Sequence, residues 1–258
     1  MLNTTPVPAF SDNYLWLIHS PQDPCRVAVV DPGDARPVMD TLEREGLTLD
    51  TILVTHHHVD HVGGVAELVK RFRAPVFGPA GERIPCRTRA LADGDRVDLD
   101  AMGLDFEVID CPGHTAGHIA YYGHGCLFCG DTLFSAGCGR LFEGTPAQMN
   151  ASLHRLAALP SDTRVYCAHE YTLNNLRFAA AVEPDNDSLQ AYAEQARQLR
   201  AEDRPTLPST VGRERQVNPF LRCTEPAVVA AAERRAGSTM EDETAVFATI
   251  RAWKDSFA

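Results

Sequence analysis

The stretch Thr51-Ile52-Leu53-Val54-Thr55-His56-His57-His58-Val59-Asp60-His61 decides how the rest of the chain is read. Its apolar, β-branched start reads as a buried strand over Thr51–Thr55 that runs directly into imidazoles and a carboxylate. In extended chain the side chains at i and i+2 share a side, so His56 and His58 converge while His57 points away. Asp60 and His61 follow where the chain turns into a helix, and they face a second point nearby. Imidazole and carboxylate suit zinc and other divalent transition metals. One loop therefore offers ligands to two adjacent cations, but it cannot close both coordination spheres alone.

The missing ligands occur at matching places further along. His114 in Asp110-Cys111-Pro112-Gly113-His114 follows an expected strand over Phe106–Ile109. Asp131 follows one over Cys126–Cys129, and His169 in Ala168-His169-Glu170 follows one over Arg164–Cys167. Each lies just past the carboxyl end of an apolar strand, where sheet-based enzymes commonly assemble their sites. A solitary histidine after a strand is usually a surface residue. Clustered candidates plus three at equivalent strand ends read as a two-metal site, with Asp131 as the bridging carboxylate.

Further strands are expected over Tyr14–Ile18, Val27–Val30, Val76–Phe77, Arg96–Leu99 and Ile119–Tyr122. Helices are expected over Pro37–Glu45, stopped by Gly46, and over Val62–Phe72. A third begins at Thr145-Pro146-Ala147-Gln148, which carries a capping hydroxyl, proline at N1 and a capping-box glutamine. After residue 170 helical patterns take over. Leu189 to Leu199 shares one apolar face, Pro226–Ala236 is alanine-rich and ends at Gly237, and Val246, Ile250, Trp253 and Phe257 stripe the last helix. A proline-rich connector spans Pro205 to Pro219. A mixed α/β domain over 1–170 is therefore expected, followed by a smaller helical domain over 171–258.

The 258 residues are 44% hydrophobic and 23% charged, ordinary globular usage with enough apolar side chains for a sizeable core. No apolar run approaches the roughly 18 residues of a membrane span, and the N-terminus lacks a basic region followed by an apolar one. A cytoplasmic protein is expected, without membrane contact. A net charge of −11 opposes nucleic acid. The eight cysteines are scattered, and Cys126-Leu127-Phe128-Cys129 lies in an apolar run, so they read as reduced and that pair as core.

Residues 55–61 resemble the T-H-x-H-x-D-H motif of the metallo-β-lactamase superfamily. That resemblance implies an α/β fold, an αβ/βα sandwich with its site at one sheet edge. It implies His56, His58 and His114 as ligands of a first metal, Asp60, His61 and His169 of a second, and Asp131 as the bridge. A narrower resemblance, to the hydroxyacylglutathione hydrolase (glyoxalase II) family, rests on further segments and covers nearly the whole chain. They are Phe10-Ser11-Asp12-Asn13-Tyr14, Pro112-Gly113-His114-Thr115-Ala116-Gly117-His118, Gly139-Arg140-Leu141-Phe142-Glu143-Gly144-Thr145, His169-Glu170-Tyr171-Thr172 and Asn218-Pro219-Phe220-Leu221-Arg222.

Two divalent cations roughly 3.5–4 Å apart lower the pKa of an intervening water towards about 7 and supply a hydroxide nucleophile at neutral pH. A thioester suits such a site because a thiolate, of pKa about 8.5, leaves without strong protonation. Asp60, beside the nucleophile, can orient its proton. The family resemblance implies hydrolysis of S-(2-hydroxyacyl)glutathione, typically S-D-lactoylglutathione, to D-lactate and glutathione, the second step of methylglyoxal detoxification. It also implies that Arg251 and Lys254 grip the glycine carboxylate of glutathione, with Tyr171 and Arg140 helping. Read from the residues alone, Arg251 and Lys254 are a solvated helix face. Arg140 and Phe142 stand where eukaryotic members carry lysine and tyrosine, which alters donor geometry and removes a hydroxyl.

His118 reads as a supporting residue, and His19, His124 and His154 as surface or packing residues. Asp31-Pro32-Gly33 reads first as a turn, with a supporting role for Asp31 as the lesser reading. Zinc is the expected metal pair, with iron or manganese admitted by the carboxylates. The chain is expected to be a monomer. Competing readings keep the site and change the substrate (glutathione persulfide dioxygenase, lactonase, β-lactamase or nuclease) or retain the ligands without turnover. The absent export signal argues against a lactamase and the negative charge against a nuclease.

Overall fold

A computed structural model describes residues 2–257. In chain order its elements are β1 (Thr4–Ala9), β2 (Asn13–His19), β3 (Arg26–Val30), α1 (Ala35–Glu45), β4 (Thr48–Leu53), α2 (Val59–Val62), α3 (Val65–Phe72), β5 (Val76–Pro79), β6 (Arg89–Leu91), β7 (Arg96–Leu99) and β8 (Leu104–Asp110). There follow β9 (Ile119–Gly123), β10 (Cys126–Gly130), β11 (Leu133–Phe134), β12 (Gly137–Cys138), α4 (Pro146–Ala157), β13 (Arg164–Cys167), α5 (Thr172–Val182) and α6 (Asp187–Ala201). The chain finishes with β14 (Ser209–Thr210), α7 (Val211–Val217), α8 (Pro226–Ala236) and α9 (Glu243–Asp255).

Alternation within β2 explains the layering. Leu15 and Leu17 join one buried cluster, with Val38 and Leu42 of α1 and Val65 and Leu68 of α3. Trp16 and Ile18 join another, with Phe106, Tyr121, Phe128 and Tyr166 of the facing sheet. A strand buried on both faces must lie between two layers. The first sheet runs β1-β2-β3-β4-β5-β6 and the second β14-β13-β10-β9-β8-β7. Helices α1 and α3 cover the first sheet, and α4 and α9 contribute Met149, Leu153, Phe247 and Ile250 to the core that includes the second.

The expected central strands are all present, and the unexpected ones are sheet margins or the separate, buried β11–β12 hairpin. Strands β1, β6 and β14 are sheet edges. In β1, Pro6 and Pro8 remove backbone donors, which an edge tolerates and which hides the strand from pattern reading. The proline-rich connector is more ordered than expected: it holds β14, which pairs antiparallel with β13, and all of α7. The strand expected over Thr51–Thr55 ends at Leu53. The helix expected over Val62–Phe72 is divided at Gly63-Gly64, because that chain presses against the Pro32–Ala35 turn. A Cβ on Gly64 would lie 2.4 Å from Ala35 N and 2.6 Å from Pro32 O. The Thr145 cap forms as expected, with Gln148 N donating to Thr145 Oγ1 and Thr145 N donating to Gln148 Oε1.

Strand β9 is antiparallel to both β8 and β10, and β13 is parallel to β10, so β8, β10 and β13 point the same way. The loops that follow them therefore open at one edge of the sandwich. The two sheets are joined near this edge: Tyr14 N donates to Ala168 O at 2.7 Å and Glu170 N to Asp12 O at 2.8 Å.

Candidate metal centre

Residues 54–58 leave β4 as irregular chain, and α2 begins at Val59. His56 and His58 lie in the irregular part, and Asp60 and His61 in the helical turn. His114, Asp131 and His169 come from the loops after β8, β10 and β13. The structure brings all seven together. His56 Nε2 is 3.1 Å from His58 Nδ1, which is 3.0 Å from His114 Nε2. His61 Nε2 and His169 Nε2 are each 3.4 Å from Asp60 Oδ2. Asp131 lies between these two groups, with Oδ1 3.4 Å from both His61 Nε2 and His169 Nε2, and Oδ2 3.5 Å from His114 Nε2.

An acceptor sits behind most of the rings. Thr55 Oγ1 gives its proton to Asp31 Oδ2 at 2.7 Å, so it accepts from His56 Nδ1 at 3.1 Å and leaves His56 Nε2 bare. His114 Nδ1 donates to Arg140 O at 2.8 Å, which bares Nε2 in the same way. Asp31 faces His61 Nδ1 at 3.1 Å, and Asp12 faces His169 Nδ1 at 2.7 Å. Such outer partners fix the tautomer and aim the free nitrogen inward. Asn13 Nδ2 donates to Asp60 Oδ2 at 3.2 Å. His118 is fully buried, stacks on His56 and lies 3.2 Å from both Asp131 N and Thr132 Oγ1. It supports the centre from behind. His57 points away from both groups, towards Glu82 and Glu143.

Burial, followed by the other imidazoles, holds His56 well below the ordinary histidine range, and burial lowers His58 and His114 as well. The bared His56 Nε2 and His114 Nε2 thus converge on His58 Nδ1, at 3.1 and 3.0 Å. In the second group burial works against every charge and is outweighed. The imidazoles of His169 and His61, each 3.4 Å from Asp60 Oδ2, hold Asp60 far below the usual carboxylate range, the charge of His61 does the same for Asp131, and Asp131 and Asp31 raise His61. Both ring nitrogens of His61 and Asp131 Oδ1 are buried with no hydrogen-bond partner, the 3.1 Å contact of Asp31 with His61 Nδ1 being an ion pair. Orphaned buried donors and acceptors are rare without a missing partner. His56, His58 and His114 form one group able to hold a metal ion, and Asp60, His61 and His169 another. The donor set fits two cations, with zinc-compatible nitrogen and oxygen ligands.

Beside Asp131 and His114 opens a cavity of about 440 Å³, also lined by Arg140, Tyr171, Arg251 and Lys254. Tyr171 stacks on His169 with ring centroids 4.7 Å apart. Arg140 is exposed, with Nε 3.7 Å from Asp255 Oδ1. Arg251 departs from the solvated face read from spacing, being 5% exposed. Its guanidinium donates to Cys138 O at 2.8 Å and Asp255 Oδ1 at 3.0 Å, and lies over the Phe220 ring. Lys254 Nζ is half-buried, donates to Asn174 O at 3.2 Å and stands near the rings of Phe178 and Phe257. The motif contains Thr55 but gives it no role, and it understates Asp31. Asp12 and Asn13 were visible only as part of the quoted Phe10–Tyr14 segment.

Residues 16–169 match the metallo-beta-lactamase superfamily, and residues 170–257 match the family described as hydroxyacylglutathione hydrolase C-terminus. A hydroxyacylglutathione hydrolase of Pseudomonas fluorescens is 56% identical over 258 residues, with both chains covered completely. One from Cupriavidus taiwanensis is 57% identical over 269 residues, again with full coverage of both. Among solved structures, TTHA1623 in a di-iron-bound form is 28% identical, with a TM-score of 0.59 over 85% of this chain and 100% of that one. With its sandwich, its paired His/Asp groups and these full-length likenesses, the chain belongs to the hydroxyacylglutathione hydrolase family of the metallo-β-lactamase superfamily.

Proposed function

We propose that this enzyme hydrolyses S-(2-hydroxyacyl)glutathione, typically S-D-lactoylglutathione, to a 2-hydroxy acid and glutathione. In that role it completes methylglyoxal detoxification. The observation that carries the reading is the position of Asp131. Its two oxygens face the two metal-holding groups, and the cavity beside it is lined by basic side chains. His56, His58 and His114 would hold one cation, Asp60, His61 and His169 the other, and Asp131 would bridge them. Zinc fits this donor set best.

When bound, two such cations polarise the thioester carbonyl and lower the pKa of a water to near neutrality. The chain supplies the rest. Asp60, steadied by Asn13 at Oδ2, would orient the proton of the attacking water. The thiolate needs no protein acid to leave. Arg251 and Lys254 take the carboxylate end of glutathione, with Arg140 and Tyr171 on the cavity wall. Phe142 lies with its ring 5.4 Å from that of His58 and offers an apolar surface, not a hydroxyl.

The working division is a catalytic domain over 1–170 and a helical glutathione-recognition domain over 171–258. A cytoplasmic, monomeric enzyme acting on a small-molecule thioester is the corresponding setting, supported by eight free cysteines. Among the described residues no helix is long and apolar enough to cross a membrane. Purified protein loaded with two equivalents of zinc should hydrolyse S-D-lactoylglutathione, and His58→Ala should abolish turnover while the fold persists. An inert wild type overturns the reading.

A further inference from the structure

His57, Glu82 and Glu143 form a cluster that the proposed reaction does not use. Glu82 lies beyond β5, and its side chain is 3% exposed. One oxygen, Oε2, is 2.9 Å from His57 Nδ1. The other, Oε1, accepts from Thr115 Oγ1 and from Gly117 N, the latter at 3.1 Å. Glu143 repeats the pattern from the opposite side: Oε1 is 3.3 Å from His57 Nε2, and Oε2 accepts from Ala116 N at 2.8 Å. A Cβ on Gly117 would lie 2.6 Å from Glu82 Cγ, so the bare glycine is what admits this approach.

These bonds join two segments that sheet pairing leaves free. His56 and His58 flank His57 on the irregular chain after β4, and His114 precedes Thr115 on the irregular chain after β8. One backbone bond, from Ile119 N to Thr55 O at 3.0 Å, ties their roots, but none joins residues 56–58 to 112–116, where His58 Nδ1 approaches His114 Nε2 to 3.0 Å. A buried carboxylate is costly unless saturated with donors, and Glu82 draws its donors from both segments. Its own backbone is pinned, since Arg87 Nη1 donates to Glu82 O at 2.7 Å.

We infer that Glu82 is a positioning residue, which with His57 and Glu143 braces the two loops and sets the spacing of the His56/His58/His114 group. The inference rests on the two-metal reading above. Outer partners of metal ligands typically govern affinity by about 10–100-fold, and the brace acts on one group only.

The test measures stepwise zinc affinity by chelator competition, the Tm of metal-free protein, and kcat and KM for wild type, Glu82→Ala, Glu82→Gln and Glu143→Ala. Glu82→Ala should weaken one zinc-binding step by about 10–100-fold and leave the other unchanged. Activity at limiting zinc should fall through kcat, with KM unmoved. Glu82→Gln keeps an acceptor for Thr115 and Gly117 and can donate to His57, so it should restore the weakened step. Two unchanged steps in Glu82→Ala overturn the brace, as do two equally weakened steps with a lowered Tm, or a glutamine variant as weak as alanine. Should Glu82→Ala not fold, the more exposed Glu143→Ala carries the test: a smaller loss in one step supports the brace, and none overturns it. A wild type binding fewer than two zinc ions overturns the two-metal reading itself.

Discussion

Asp31 Oδ2 stands 3.1 Å from His61 Nδ1, joining the end of β3 to α2 directly behind the candidate metal centre. The same carboxylate accepts from Thr55 N and Thr55 Oγ1, both at 2.7 Å, and its residue holds a left-handed φ of 51°. One side chain thus orders the start of the histidine loop and aims the ring at its end. Asp31→Asn keeps the shape but removes the charge facing His61. Metal affinity should drop about 10–100-fold, read as zinc retained after dialysis against a graded chelator.

Chelation should leave the fold intact but less stable and inactive. Metal that binds only the folded chain, at about 1,000 times its Kd, adds about 4 kcal/mol per site. Differential scanning calorimetry should show Tm falling on stripping and returning, with activity, when zinc is restored. An unchanged Tm would contradict tight binding at either group.

If Lys254 holds the substrate as proposed, recognition should depend on pH. Burial first, then the charges of Arg251, Arg177 and Arg140, bring its ammonium down to about 8. The charge is complete well below pH 8 and is lost as pH rises through it, so kcat/KM, which reports the free enzyme, should fall on an alkaline limb near that value. Lys254→Met should flatten this limb and raise KM roughly tenfold, with kcat little changed, as for loss of a charge-assisted contact. Without substrate the sign reverses: between about pH 8 and 10.5 the unfolded chain holds the proton longer, so the free protein gains stability.

Glu214 ties the helical part to the catalytic edge. Fully buried on α7, it accepts from Ala136 N at 2.7 Å, Asn218 Nδ2 at 3.1 Å, Ser135 Oγ at 3.2 Å and Ser209 Oγ. Three of these donors lie on, or bond to, the β11–β12 hairpin between Asp131 and Arg140. Glu214→Ala strips Ala136 N and Ser209 Oγ of this acceptor, while Asn218 keeps Phe134 O and Gly137 O and Ser135 keeps Tyr192; it should cost about 3 kcal/mol, measured by urea unfolding, with Glu214→Gln losing less.

The local order of residues was enough to locate the central strands, the Thr145 cap and seven side chains that the fold gathers into the candidate metal centre. Alternation has a period of two, capping spans three residues, and ligands placed just past strand ends are near their markers in the chain. Edge strands β1 and β14 escaped because their identity lies in the neighbour they pair with, not in their own pattern.

What packing alone decided is which group stands behind which. Spacing put Arg251 on a solvated face, yet α9 seats it against Cys138 O and the Phe220 ring. Asp31 reads as a turn residue until β3 and β4 lie side by side, and Glu82 has no motif to announce it. The amino-acid order specifies the donors, since each ligand type is a property of its own side chain. The two-sheet sandwich specifies their distances, tautomers and charges, because those depend on partners that only the folded chain brings within reach.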